Sequence, residues 1–341
     1  MAYGITENDS LFVVKTPAWH GLGTVLSSAP ATSKEAIALA GLDWEVGLRP
    51  VSFTDSDGGI MLVQGSHVSV RHQPGKVDLP LGIVGSKYSP LQNSEAFDFF
   101  DPLIADGIAT YETAGSLFGG KKVWILAKMK GNIEVGENDA VERNVLLSNS
   151  HDGSSAVIGM ITPIRVVCNN TLSAAIGGKK AAAKQGNYFS FRHTSSVTEK
   201  VKFAQMTLEA INKKYDQLSK IWAKMAEVQM PPSAKFDFVK KVFPPKEGAK
   251  QSMQNMTLRT EILSLTEKGT GMTLDSAHNT LWGCLNAVTE HTTHSMSERK
   301  NSTRDTHVDN LWFGRLGEIN DRAFSVALDV LDSQGIDIST L

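Results

Sequence analysis

Between Val197 and Met225 the apolar residues Val197, Val201, Ala204, Leu208, Ile211, Tyr215, Leu218, Trp222 and Met225 recur in alternating steps of four and three. That spacing lines one stripe of an α-helix and is the a/d seam of a heptad repeat. A strand does not satisfy it, so one long helix is the element against which the rest must pack. Ser196 and Glu199 have capping-box spacing at its start, and Pro231-Pro232 stands just past its end. The seam packs against a helix of the same chain or of a neighbouring subunit, and periodicity does not choose between them.

Upstream, the pattern changes to strand-like runs. Trp44 to Phe53, Ile60 to Arg71 and Leu81 to Tyr88 are punctuated by Asp57-Gly58-Gly59 and Gln73-Pro74-Gly75, and Asn93 to Leu103 then reads as a helix. A similar order follows. Thr110 to Phe118 and Lys121 to Met129 flank Gly119-Gly120, a hairpin signal. Asn144 to Ser148 and Ala156 to Cys168 are split by His151-Asp152-Gly153-Ser154, after which Asn169 or Asn170 caps a helix expected through Ile176. A shorter helix is expected from Lys34 to Ala40, capped by Ser33 and stopped at Gly41. Near the C-terminus Ala277 to Thr289 and Ile319 to Leu331 have helical spacing, with polar Thr292 to Asp309 as a loop between them.

These runs define an α+β fold: antiparallel β-sheet hairpins with packed helices, a long heptad-patterned helix and a helical C-terminal region. The expected organisation is an irregular segment over 1–32, an α+β core domain over 33–195, the long helix over 196–230, a Pro-containing linker over 231–255 and the helical region over 256–341. A chain of 341 residues with 41% hydrophobic and 21% charged content buries a substantial core and excludes wholesale disorder. No apolar run reaches the roughly 18 residues of a membrane span, and no secretory signal pattern opens the chain. Cys168 and Cys284 make no disulfide framework. A cytoplasmic protein with no membrane contact is the expectation, the cytoplasm being that of a bacterial host if the resemblance below holds.

Several motifs invite chemistry. Gly115 to Lys122 nearly spells a phosphate-binding loop, but Lys122 stands where a magnesium-binding hydroxyl is needed and a strand follows where a helix should begin. A hairpin turn is the better reading. In Glu290-His291-Thr292-Thr293-His294 the histidines are three apart and the Glu precedes both, unlike a metalloprotease helix, so no metal ligand is assigned. Cys168 lacks a nucleophile elbow, Asp98 and Asp101 read as a solvated face, and no cofactor or catalytic residue is assigned.

Charge is the stronger signal. Residues 1–150 carry 11 Lys+Arg against 17 Asp+Glu, whereas residues 179–224 carry 10 against 3, a local net of +7 in a chain whose total is −2. Arg165 on an apolar strand requires a partner, an internal carboxylate or an external phosphate. Lys179, Lys180, Lys184, Arg192, Lys200 and Lys202 surround Tyr188, Phe189 and Phe191. Cations that track a backbone, interleaved with rings that stack on bases, suit single-stranded nucleic acid. In that reading Tyr188 and Phe191 stack, and Asn169 and Asn170 hydrogen-bond the backbone. The competing reading is a basic loop with Phe189 and Phe191 in the core.

Pro17-Ala18-Trp19-His20-Gly21-Leu22-Gly23, Ser150-His151-Asp152-Gly153-Ser154, Arg165 to Leu172, Arg192-His193-Thr194, Thr280 to Glu290 and Trp312-Phe313-Gly314 together resemble the phage/plasmid-like protein family, a domain of unknown function. The resemblance implies a mobile element and no particular activity. In element order alone the chain is also similar to the single-strand annealing recombinases of phages. The leading expectation is therefore a single-stranded DNA-binding or annealing protein of recombination or replication, working without covalent chemistry as a homo-oligomer. One alternative is an interaction protein that oligomerises through the heptad seam and binds a host protein. Another is an enzyme built on His20, His151, Asp152, Cys168 and His193.

Overall fold

The computed structural model describes residues 6–15, 23–167, 170–171, 188–199, 209–244, 253–295 and 307–338. In chain order the first elements are β1 (Leu11–Val14), β2 (Thr24–Leu26), α1 (Ser33–Leu39), β3 (Glu45–Thr54), β4 (Ile60–His72), β5 (Leu79–Gly85), α2 (Asn93–Phe97) and α3 (Asp101–Ala105). Next come β6 (Ala109–Leu117), β7 (Lys122–Gly136), β8 (Asp139–Ser150), β9 (Val157–Ile161), β10 (Ile164–Arg165), β11 (Asn170–Thr171) and β12 (Tyr188–Phe191). Helices complete the chain: α4 (Glu209–Glu227), α5 (Pro232–Val242), α6 (Met253–Lys268), α7 (Leu281–Glu290), α8 (His307–Phe313) and α9 (Arg315–Ser333). The fold is α+β. Two compact units interleave in sequence: Met1–Lys130, Val145–Met160 and Phe189–Leu208 form the first, and Gly131–Asn144, Ile161–Tyr188 and Glu209–Leu341 the second.

In the first unit, β3, β4 and β5 make an antiparallel sheet, and β1, β6 and β7 pair antiparallel in that order. β1 also pairs β2 in parallel, Phe12 against Thr24. Strand structure at β1 and β2 corrects the expectation of an irregular N-terminal segment. Leu11-Phe12-Val13-Val14 is buried on both faces, and burying four consecutive apolar residues outweighs the turn-forming composition that follows them. Thr32, not Ser33, caps α1, its side chain accepting from the Glu35 N–H at 3.2 Å, and Gly41 follows the helix at φ +64°. The helix expected from Asn93 to Leu103 is instead α2, a 3₁₀ turn at Asp98–Phe100 and α3. Pro102 explains the break, since it has no N–H to continue the preceding helix. Phe97, Phe99, Phe100 and Tyr111 are fully buried there.

In the second unit the strand end of β8 pairs β10, Arg165 against Val141, and β10 pairs β11, Arg165 against Asn170. A strand at Asn170–Thr171 replaces the helix start expected there; the rest of that expected helix lies outside the described residues. Of the heptad seam, Ile211, Tyr215, Leu218, Trp222 and Met225 are buried on α4, with Trp222 5.7 Å from Trp282 of α7. This part of the seam packs within the chain and is not free to join subunits. Residues 197–199 are helical, and 200–208 lie outside the described residues. The polar stretch after α7 is not all loop: His291–Ser295 extends it as a π-helical turn, and His307 opens α8. Thr292 donates its hydroxyl to Asn320 of α9 at 2.7 Å, which satisfies one buried polar side chain of this extension.

Candidate functional site

Arg165 takes the internal partner. Its Nε donates to Asp139 Oδ1 at 2.6 Å and Nη2 to Oδ2 at 2.7 Å, a bidentate pair with both side chains wholly buried. Ser276 Oγ (2.6 Å) and Trp282 Nε1 (2.9 Å) also donate to Oδ2, and the guanidinium lies 5.7 Å from the Trp282 ring. Burial alone would raise the Asp139 carboxyl, but the hydrogen bond and charge of Arg165, with the Ser276 and Trp282 bonds, hold it below the usual range. A buried, saturated guanidinium offers nothing to an external phosphate, so Arg165 is removed from the expected contact set. The sequence signal for its partner was an acidic residue opening an apolar strand just after the Glu137-Asn138 turn.

The Gly115 to Lys122 segment is a hairpin in which Leu117 pairs Lys122. Phe118, Gly119 and Gly120 all have positive φ, which turns successive N–H groups inward as in a phosphate cradle. The occupant is internal. Asp9 Oδ1 accepts from Ser116 Oγ at 2.6 Å and Gly120 N–H at 2.9 Å, and Oδ2 from Gly119 N–H at 2.7 Å and the Thr6 hydroxyl at 2.8 Å. The cradle role of Asp9 is not legible in the sequence, because Ser116, Gly119 and Gly120 lie more than a hundred residues away.

Three residues of the enzyme alternative do come together in the first unit. His151 is fully buried with Nε2 3.0 Å from Asn93 Oδ1; the Asn93 amide nitrogen donates to Leu42 O at 3.0 Å, so Nε2 carries the proton. Its carbonyl accepts from Ser69 Oγ at 2.6 Å, and Trp44 meets the imidazole edge-on at 5.3 Å. His193 stacks on Tyr88 at 4.8 Å, and its backbone carbonyl accepts from Ser89 N–H at 3.2 Å. Asp152 accepts from Ser150 Oγ at 2.7 Å and Ser154 N–H at 2.9 Å. Burial, then repulsion from His193, pushes His151 down to about 3, with Asp152 opposing; burial pushes His193 down to about 4, against the Ser89 backbone and Asp152. Both imidazoles are neutral near pH 7. The Asp152 bonds shape the loop from Ser150 to Ser154, and the Ser69 and Asn93 bonds to His151 staple that loop to β4 and α2. His20 and Cys168 lie outside the described residues.

Among the described residues no three His, Cys, Asp or Glu converge as metal ligands. His291 is buried 3.4 Å from Glu261, and His294 is exposed. Asp101 is no solvated carboxylate either: it accepts from Tyr111 OH at 3.0 Å and Ser33 Oγ at 2.9 Å.

Of the expected nucleic-acid contacts, Tyr188 and Phe191 bound β12, which pairs β9. Phe191 is half-buried and stacks on Phe189 at 5.2 Å, and Phe189 packs on Phe99 at 5.5 Å. Gly159 makes room: a Cβ there would fall inside the Phe189 ring. Arg192, the residue after Phe191, is exposed. Asn170 is seen as backbone of β11. Asn169, Lys179, Lys180, Lys184, Lys200 and Lys202 lie outside the described residues. On α4, Lys213 and Lys220 are exposed opposite the buried seam, and Lys224 pairs Glu227 at 2.7 Å, so that share of the basic excess is a solvated helix face.

The fold and site define an α+β protein whose recognisable sequence blocks are held by a buried Asp–Arg pair and a buried His–Asn staple. The chain belongs to the family described as Domain of unknown function (DUF932), whose model matches residues 80–312. No curated protein and no solved structure matches it. Among the described residues no helix is long and apolar enough to cross a membrane.

Proposed function

We propose that this is a single-stranded DNA-binding or annealing protein of a phage or other mobile element, acting in recombination or replication without covalent chemistry. The observation that carries the reading is the basic excess upstream of α4, where residues 179–208 hold six basic residues against one acidic residue and run through the aromatic strand β12. Arg192 follows Phe191 in sequence, so an exposed cation and a half-buried ring pair lie on one short segment, a combination that suits a stacked base and its phosphate. The contact set is Lys179, Lys180, Lys184, Arg192, Lys200 and Lys202 for phosphates, Tyr188 and Phe191 for bases, and Asn169 and Asn170 for the backbone.

Fluorescence anisotropy with a labelled single-stranded thirty-mer at two salt concentrations tests it. Binding is expected to weaken by about 300-fold between 50 and 200 mM salt if all six cations contact phosphates, with little sequence preference. Reversing Lys179, Lys180 and Lys184 to Glu abolishes binding and leaves the circular dichroism unchanged. No binding at low salt, or salt-insensitive binding, overturns the reading.

A further inference from the structure

The β3–β4 hairpin carries apolar side chains where a water-facing ribbon should be polar. β5 reaches only to the Ser66–Gly85 pair, so beyond it β3 and β4 continue as two strands. Past an irregularity between Pro50 and Ser52, the pairs are Ser52–Leu62, Phe53–Met61 and Thr54–Ile60, closed by the turn at Asp55–Gly59. Neighbouring pairs point to opposite faces, so Phe53 and Met61 lie on one face and Ile60 and Leu62 on the other. All four are exposed: Phe53 by 55%, Met61 by 49%, Ile60 by 77% and Leu62 by 57%. A two-stranded ribbon alone is marginal in water, and an apolar one with open edges is an association site unless covered.

We infer that this arm is a self-association element whose occupant is a second copy of the chain. Three observations favour that occupant. The arm exposes roughly 500 Å² of apolar side chain per copy, so a symmetric pair buries about 1,000 Å², the level at which specific interfaces begin. Its only charges are Asp55 and Asp57; Asp55 turns inward to accept from the Asp57 and Gly59 N–H groups at 3.0 and 2.7 Å. An arm without a cation does not suit nucleic acid or an anionic membrane, and a charge-depleted apolar centre suits a protein interface. Finally, an arm apolar on both faces needs two walls, and the same sheet carries Ile83, 68% exposed on β5. Two copies related by a two-fold axis supply arm and wall to each other at once. The inference is independent of DNA binding, and it moves self-association from the heptad seam to the hairpin.

Sedimentation of the full chain over about 1–100 µM reads the result by mass action. Wild type is expected to dimerise, and the double variant I60E/L62E to raise the dissociation constant at least about 100-fold, as for two anchors replaced by charges. Both positions face solvent in the protomer, so its circular dichroism is unchanged. A photoreactive benzoylphenylalanine at position 62 is expected to cross-link to residues 45–85 of another copy. A monomeric wild type, an unchanged constant in the double variant, or cross-links confined to other regions or proteins each overturn the inference.

Discussion

Replacing Arg165 with Met tests the buried pair that organises the second unit. The substitution removes two charge-assisted bonds, at 2.6 and 2.7 Å, and with them the countercharge bonded to Asp139, while the Ser276 and Trp282 bonds survive. Stripping one partner from a buried ion pair costs about 3–5 kcal/mol. For a unit of this size each kcal/mol moves Tm by roughly 2–4 °C, so a fall of about 6–20 °C is expected at pH 7. The pH dependence gives the cause. In the wild type the depressed Asp139 carboxyl contributes stability that is present above its unfolded value near 4 and is lost as pH falls through the lower folded value. Without Arg165 burial dominates and the folded value rises, so stability is greatest at low pH and is lost as pH rises through it. The gap in Tm between R165M and wild type should therefore narrow from pH 7 to pH 5, since every other titrating group is common to both. Scanning calorimetry at the two pH values, with hydrogen exchange at residues 136–144, measures it. A gap below about 3 °C, or one of equal size at both pH values, refutes the reasoning.

Two further outcomes follow from the first unit. G159V drives a side chain into the Phe189 ring and should displace β12 from β9 at a cost of about 1–3 kcal/mol. Hydrogen exchange at 157–161 and 188–191 reads this, and unchanged protection would show that Phe189 does not rest on Gly159. His193, with its folded value lowered to about 4, contributes stability present above the unfolded value near 6.5 and lost as pH falls through that window. In H193F, which keeps a ring on Tyr88, the loss between pH 7 and pH 5 should be smaller than in wild type by about 2 kcal/mol. Parallel denaturant-melting series for the two proteins would refute it.

Where a residue's neighbours are close in sequence, its role could be read from the chain. Tyr215, Leu218 and Trp222 announce a buried helix stripe by their spacing, and all three are buried on α4. Asp57-Gly58-Gly59 and Gly119-Gly120 announce turns, because positive φ at Gly58, Gly119 and Gly120 is a local steric demand. The competition at Asn170 was not legible. Its type fits a helix cap as well as a strand, and the choice of strand rests on pairing with Arg165.

The sequence by itself determined the α+β class, most strand and helix positions and the charge asymmetry, since all of these are short-range patterns of residue type. Only the tertiary structure decided which partner each polar group takes. Arg165 asks for a counter-anion in either reading; the 26 residues that separate it from Asp139, and the 137 between Asp139 and Ser276, are closed by the fold alone. The same holds for Asp9, which fills a cradle that looks from its glycines like a phosphate site. Burial makes these assignments, because a charge taken out of water must be satisfied by whatever the fold brings within about 3 Å, and sequence distance does not enter that cost.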